Sequence, residues 1–177
     1  MKSKLIVIGL VLTLLVGGMA PSFAGRAGAA YMTTPAASPA QTHVAEGKIK
    51  FAFHAGLAFF AFHHYVYNRY KKHEFDAGAH FRKIHLVEAG IALLFTYHEL
   101  KVALADANGS NSPVLHKLVS PLNALIAKYN GAVGRVNSGN VSGTDFQTLN
   151  SSTSAFSNQS SHAGYQITDV PVTVPGA

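Results

Sequence analysis

The chain has no cysteine among its 177 residues. That absence removes disulfides, thiolate metal sites, c-type haem attachment and cysteine nucleophiles together, so packing alone must hold the fold. Acidic residues are also scarce, 8 Asp and Glu against 14 Lys and Arg. So few carboxylates leave no identifiable acid pair for glycoside cleavage. A ferritin-like di-iron site is equally disfavoured, because only His85-x-x-Glu88 occurs, the reverse of the Glu-x-x-His order such sites use. There is no glycine-rich phosphate loop and no strand-turn-helix nucleophile elbow. The expectation is a protein that is not an enzyme. Its basic residues are scattered rather than clustered, so nucleic acid is not expected as a partner.

What is present begins with a leader. Lys2 and Lys4 precede an unbroken apolar stretch, Leu5 to Leu15, and a small-residue cleavage site ends at Ser22-Phe23-Ala24. Residues 1–24 read as a signal peptide, since the apolar core is shorter than the ~20 residues that span a bilayer; an uncleaved anchor is the alternative. No cysteine follows, which excludes a lipoprotein anchor, and an exported chain without cysteine suggests a bacterial product. Losing Lys2 and Lys4 leaves 12 basic residues against 8 acidic, a net of +4. The expected location is secreted or in the cell envelope.

Residues 25–45 are small and polar, with Pro35 and Pro39, and read as a flexible linker. A helix is predicted over about 46–72, with polar positions recurring at Lys50, His54, Ala61, Tyr65, Asn68 and Lys72 as a narrow solvent stripe. Asp76 is placed as the N-cap of a second helix ending near Ala107, before Asn108-Gly109. Ser112-Pro113 has the form of a third helix start, with Pro121 inside the helix and an end at Asn137-Ser138-Gly139. Residues 142–164 are low in complexity, yet Ser142 and Asp145 have capping-box spacing, and Phe146, Leu149, Thr153 and Phe156 recur on one face. The fold expected is all-α: an up-down antiparallel four-helix bundle, residues 46–166, with a central hairpin over about 46–107 plus two further helices, and an extended tail, 167–177.

Seven of the ten histidines and twelve of the eighteen Phe and Tyr residues lie between Phe51 and His98. Imidazole titrates near neutral pH and ligates metals and haem, so the hairpin is where a ligand would sit. If it turns near residue 75, His64 comes level with His85, and Glu88 lies one turn further along. His64, His85, Glu88 and His63 are therefore the candidate metal ligands, for haem iron or a divalent metal. Against them, His63 and His98 read as core histidines, and His54, His73 and His80 as solvated. No recognised ligand spacing is present, so no cofactor is the first expectation and a haem or metal binder the second.

A third reading is a membrane-associated hairpin: residues 51–67 and 86–105 are largely apolar, with Arg69, Lys71, Lys72, Arg82 and Lys83 between them. The histidines in the first stretch and Glu88, His98, Glu99 and Lys101 in the second are costly in hydrocarbon, which favours a water-soluble hairpin. The function expected from the residues is that of an exported binding or structural component of the envelope or extracellular space, with an unknown protein or envelope partner.

Overall fold

Helix-start chemistry places the last two helices where their residues call for them. Ser112 takes the N-cap position and its Oγ accepts from Leu115 N–H, while Pro113 occupies the first helical position, where its missing donor costs nothing. Ser142 and Asp145 form a complete capping box. In the computed structural model, which describes residues 39–177 and the side chains from residue 44 onward, the helices are α1 (Pro39–Ala61), α2 (Asn68–Lys71), α3 (Arg82–Gly109), α4 (Pro113–Asn137) and α5 (Gly143–His162). A π-helical stretch, Phe62–Tyr67, joins α1 to α2, so these three run as one rod. The signal peptide and most of the linker lie outside the described residues.

The described residues are helical with no strand, and four rods pack together. The first rod lies antiparallel to α3, α3 packs on α4, α4 on α5, and α5 returns against the π stretch. Phe51, Phe59, Phe62, Leu93, Leu100, Leu118, Leu122 and Phe146 fill the centre. Tyr129 joins α4 to α5 from inside this core: its hydroxyl lies 2.7 Å from Thr153 Oγ1, and its ring meets Phe62 edge-on at 5.5 Å. Burial pushes its phenol far above the ordinary value, so it stays neutral.

Several expectations are corrected. Helix α1 starts at Pro39, so the last residues assigned to a linker, 39–45, are helical. Asp76 does not cap the second helix; it accepts from His73 Nδ1 instead. Helix α3 starts at Arg82, after Phe81 in a left-handed conformation, φ 59°. The π stretch carries more residues per turn than an α-helix and so rotates the positions after it about the rod axis. A stripe counted at constant pitch therefore fails beyond residue 61, and within α1 itself Ala61, placed on it, is buried while His54 pairs with Glu99 of α3. The tail is extended as expected but docks on the first rod. Val170 N–H donates to Gly56 O, Tyr65 Oη donates to Val172 O, and Ile167 and Val174 are buried.

Asp145 fixes the entry to α5. Burial pushes its carboxyl up, but hydrogen bonds from Ser142 and the Arg135 guanidinium, 2.8 Å away, outweigh burial and hold it below the usual carboxylate value. A depressed folded value means stability that is present above the unfolded value and lost as pH falls through the folded one. Asp145→Asn is accordingly expected to cost about 1 kcal/mol at neutral pH. The difference from the parent should shrink on acidification through the carboxylate range, as read from urea midpoints at a series of pH values.

Candidate functional site

The groove between the first rod and α3 holds most of the charged side chains that face one another in the described structure. Near the C-terminal end of α3, His54 Nδ1 donates to Glu99 Oε2 at 2.7 Å, and His54 Nε2 sits 4.0 Å from Asp106 Oδ2. Glu99 keeps only a tenth of its side chain exposed. Here the structure reverses two expectations: His54 faces inward to this pair, whereas His98 is exposed. The connection between the rods spans residues 72–81 rather than a tight turn, so the level opposite His54 belongs to Glu99.

Asp106 is the anomaly of this cluster. Its Oδ2 is buried and accepts no hydrogen bond. Burial raises its carboxyl above the ordinary value, against the pull of His54 and Lys50. A raised folded value means that the protonated form is favoured by folding, so this contribution is present at low pH and lost as pH rises through the folded value. Asp106→Asn should therefore stabilise the protein at neutral pH, by about 1 kcal/mol. The gain should vanish on acidification, checked by thermal melts at neutral and acid pH. Beside Asp106 an open cleft of about 540 Å³ is bounded by Glu46, Lys50, Ser110 and Asn111.

The second cluster lies toward the turn. Arg69 donates to Glu88 Oε2 and stands 3.8 Å from Glu74 Oε2, while His85 Nδ1 is 3.5 Å from the same Glu74 oxygen. His64 and His85 both line the cleft here, about 360 Å³, with Asn68, Arg69, Lys72 and Glu74. The level expected for His64 and His85 is thus shared, but Glu88 is held by Arg69. His63 points elsewhere, to Asp169 of the tail, 2.8 Å from its Nδ1. It is therefore not the core histidine it was expected to be. Among the described residues no three His, Asp or Glu side chains converge as metal ligands. Likewise no helix among them is long and apolar enough to cross a membrane.

The most distinctive surface was not visible from composition. On α3 the inward line Ala89, Ala92, Leu93, Thr96, Leu100 and Ala103 is buried. Ile84, Val87 and Leu94, on the opposite side, are 54%, 64% and 48% exposed. Ile91 completes their line at half burial, touched from one side by the tail at Gly176. Between this line and α4 is a hollow of about 250 Å³, lined by Leu86, Val87, Gly90, Ile91, Leu94 and Val136. Gly90 keeps the floor of the hollow close to α4: a Cβ there would lie 3.3 Å from Val136 Cγ1. The sequence signal was the spacing of 84, 87, 91 and 94, which merged with the broad apolar arc expected to face the core. The chain matches no protein-family model, no curated protein and no solved structure.

Proposed function

We propose that this is an exported, non-enzymatic helical protein of the cell envelope or extracellular space, and that it works by binding another protein through the outer face of α3. In this reading the rods form an up-down antiparallel four-helix bundle that presents that face. The observation that carries the proposal is the exposed row Ile84, Val87 and Leu94 beside an apolar hollow. Large apolar side chains gathered in one patch mark contact surfaces, whereas single scattered ones do not. Export is supported by the basic start, the apolar stretch Leu5 to Leu15 and the Ser22-Phe23-Ala24 site.

Fractionation of the producing cell with intact-mass measurement tests the first half of this reading. The expected product lies outside the cytoplasm and lacks residues 1–24. A full-length product confined to the cytoplasm would contradict it. The haem or metal alternative is supported by His64 and His85 sharing a cleft, but Arg69 already stands where a cation would sit among Glu74, Glu88 and His85. A membrane-associated hairpin has less behind it, since the groove between the two rods is lined with paired charges.

A further inference from the structure

We infer that the groove holding the C-terminal tail is a binding site for an extended, valine- and proline-rich segment of another protein, with residues 167–177 as its resident, releasable occupant. This contact site is separate from the outer face of α3. The groove reads main chain. Val170 N–H donates to Gly56 O at 3.0 Å. Tyr65 Oη donates to Val172 O at 3.2 Å and accepts from Val174 N–H at 3.4 Å, so one hydroxyl meets the carbonyl and amide that a neighbouring strand would meet. Each donating valine stands immediately before a proline, Pro171 or Pro175, which holds it to extended backbone. The spacing also matches. Four extended residues, Val170 to Val174, cover about 13 Å, and the nine helical residues from Gly56 to Tyr65 rise about 13 Å at 1.5 Å each. Side chains add selection: Ile167 and Val174 are buried, and Asp169 lies 2.8 Å from His63 Nδ1. Only a glycine at residue 56 leaves room for Thr168 O.

The tail sits in this groove as a bound peptide does. Of residues 167–177 only Ile167 and Val174 are buried, and no helix or strand ties residues 167–174 to the bundle. Segments with so few buried side chains open without global unfolding. The tail therefore releases as one unit while the four rods stay packed. Its fit defines the ligand: an apolar residue, an acid two places on, and Val-Pro pairs three and seven places on, as at Ile167, Asp169, Val170 and Val174. A second copy of the chain is not that partner. Its tail could make only the contacts that the resident tail already makes at an effective concentration of about 10 mM. A foreign segment displaces the tail by fitting more closely, above all at Tyr65, where the hydrogen bond from Val174 is long.

Binding of a fluorescent peptide, residues 166–177 of this chain, to full-length protein tests the site. Val174→Asp puts a charge at a buried tail position, so the resident tail leaves while the groove is unaltered. A tail favoured about a hundredfold over its open form, at about 10 mM effective concentration, corresponds to a dissociation constant in trans of about 0.1 mM. The Val174→Asp chain should bind the peptide with that strength. The parent, whose own tail competes, should bind it at least about tenfold more weakly. Adding Gly56→Val to Val174→Asp should abolish binding, with far-ultraviolet helicity unchanged because the tail is already off. A second measurement uses the parent alone. Hydrogen exchange should give the amides of Val170 and Val174 one common protection, at least about a hundredfold below that of Leu122 in the core of α4. Tail amides that exchange only with global unfolding would overturn the releasable tail. Equal binding to the parent and to Val174→Asp, or equal binding of a peptide with the same residues in scrambled order, would overturn the site. A parent chain that dimerises by exchanging tails at micromolar concentration would overturn the assignment to another protein.

Discussion

Gly56→Val is expected to lift the C-terminal tail from the first helix and to destabilise the protein by about 2 to 4 kcal/mol, the burial of Ile167 and Val174 less the freedom regained by the released segment. The cause is space rather than backbone conformation. A Cβ at residue 56 would fall 2.4 Å from Thr168 O and 2.7 Å from Val170 Cγ2, and the first of these is backbone that cannot rotate aside. Displacing Thr168 breaks the hydrogen bond from Val170 N–H to Gly56 O. It also uncouples Asp169 from His63, a half-exposed pair that contributes little by itself. The loss should appear as a lower denaturation midpoint together with proteolytic trimming of residues 167–177 from the native protein. Gly134→Ala is the control: nothing lies within 4 Å of a Cβ there, and its helical position should make the change neutral or slightly stabilising. Unchanged stability with a protected tail in Gly56→Val would show that the close approach at Gly56 is not needed, and unchanged stability with a released tail would show that the tail contributes nothing.

His54→Leu should be the second large effect, at about 2 to 3 kcal/mol, because it removes the donor to a carboxylate that is nine-tenths buried. Breaking a fully buried pair costs about 3 to 5 kcal/mol; a quarter of the His54 side chain meets solvent, which reduces the penalty. The informative comparison is the double variant His54→Leu, Glu99→Met. Replacing both partners by apolar groups of similar volume removes the uncompensated charge, so most of the lost stability should return. A cycle of the two single variants and the double, read from urea midpoints, should give a coupling of more than about 1 kcal/mol. Additive losses would show that the two side chains act independently. If the double variant matches the parent in stability, the ion pair is not there to hold the fold, a view supported by the neighbouring Asp106, whose buried Oδ2 accepts no hydrogen bond.

The parts of this fold that could be read from the residues are those set by local chemistry. Ser112-Pro113, the Ser142 and Asp145 box and the end at Asn137-Ser138-Gly139 each act over three or four residues, and each stands where expected. The apolar positions of α5, Phe146, Leu149, Thr153 and Phe156, are also buried as their spacing requires. What was hidden depends on pitch and on distant partners. The π stretch has no compositional marker, and Ala61, just before it, is buried although the spacing places it on the solvent stripe. The left-handed Phe81 delayed the start of α3, so Asp76 lost its capping role. His63 pairs with Asp169, a partner 106 residues away in a segment read as a simple tail. Of the candidate ligands, His64 and His85 line one cleft, a proximity that follows from an antiparallel hairpin alone. Glu88 went to Arg69, a cation counted only as part of the turn's basic set. The exposed line on α3 stayed hidden because an apolar arc does not say which part of it the neighbouring helices cover.

The most direct measurement is site-specific photo-crosslinking in the producing cell, with a photoreactive side chain at Val87 and, as a control, at Ala124 on α4. Both positions are exposed, but only Val87 lies on the proposed contact face. Discrete protein adducts through residue 87, with none through residue 124, are the expected result. A chain that crosslinks no protein at residue 87, or that gives the same adducts at both positions, would contradict the claim that the outer face of α3 is where this protein binds.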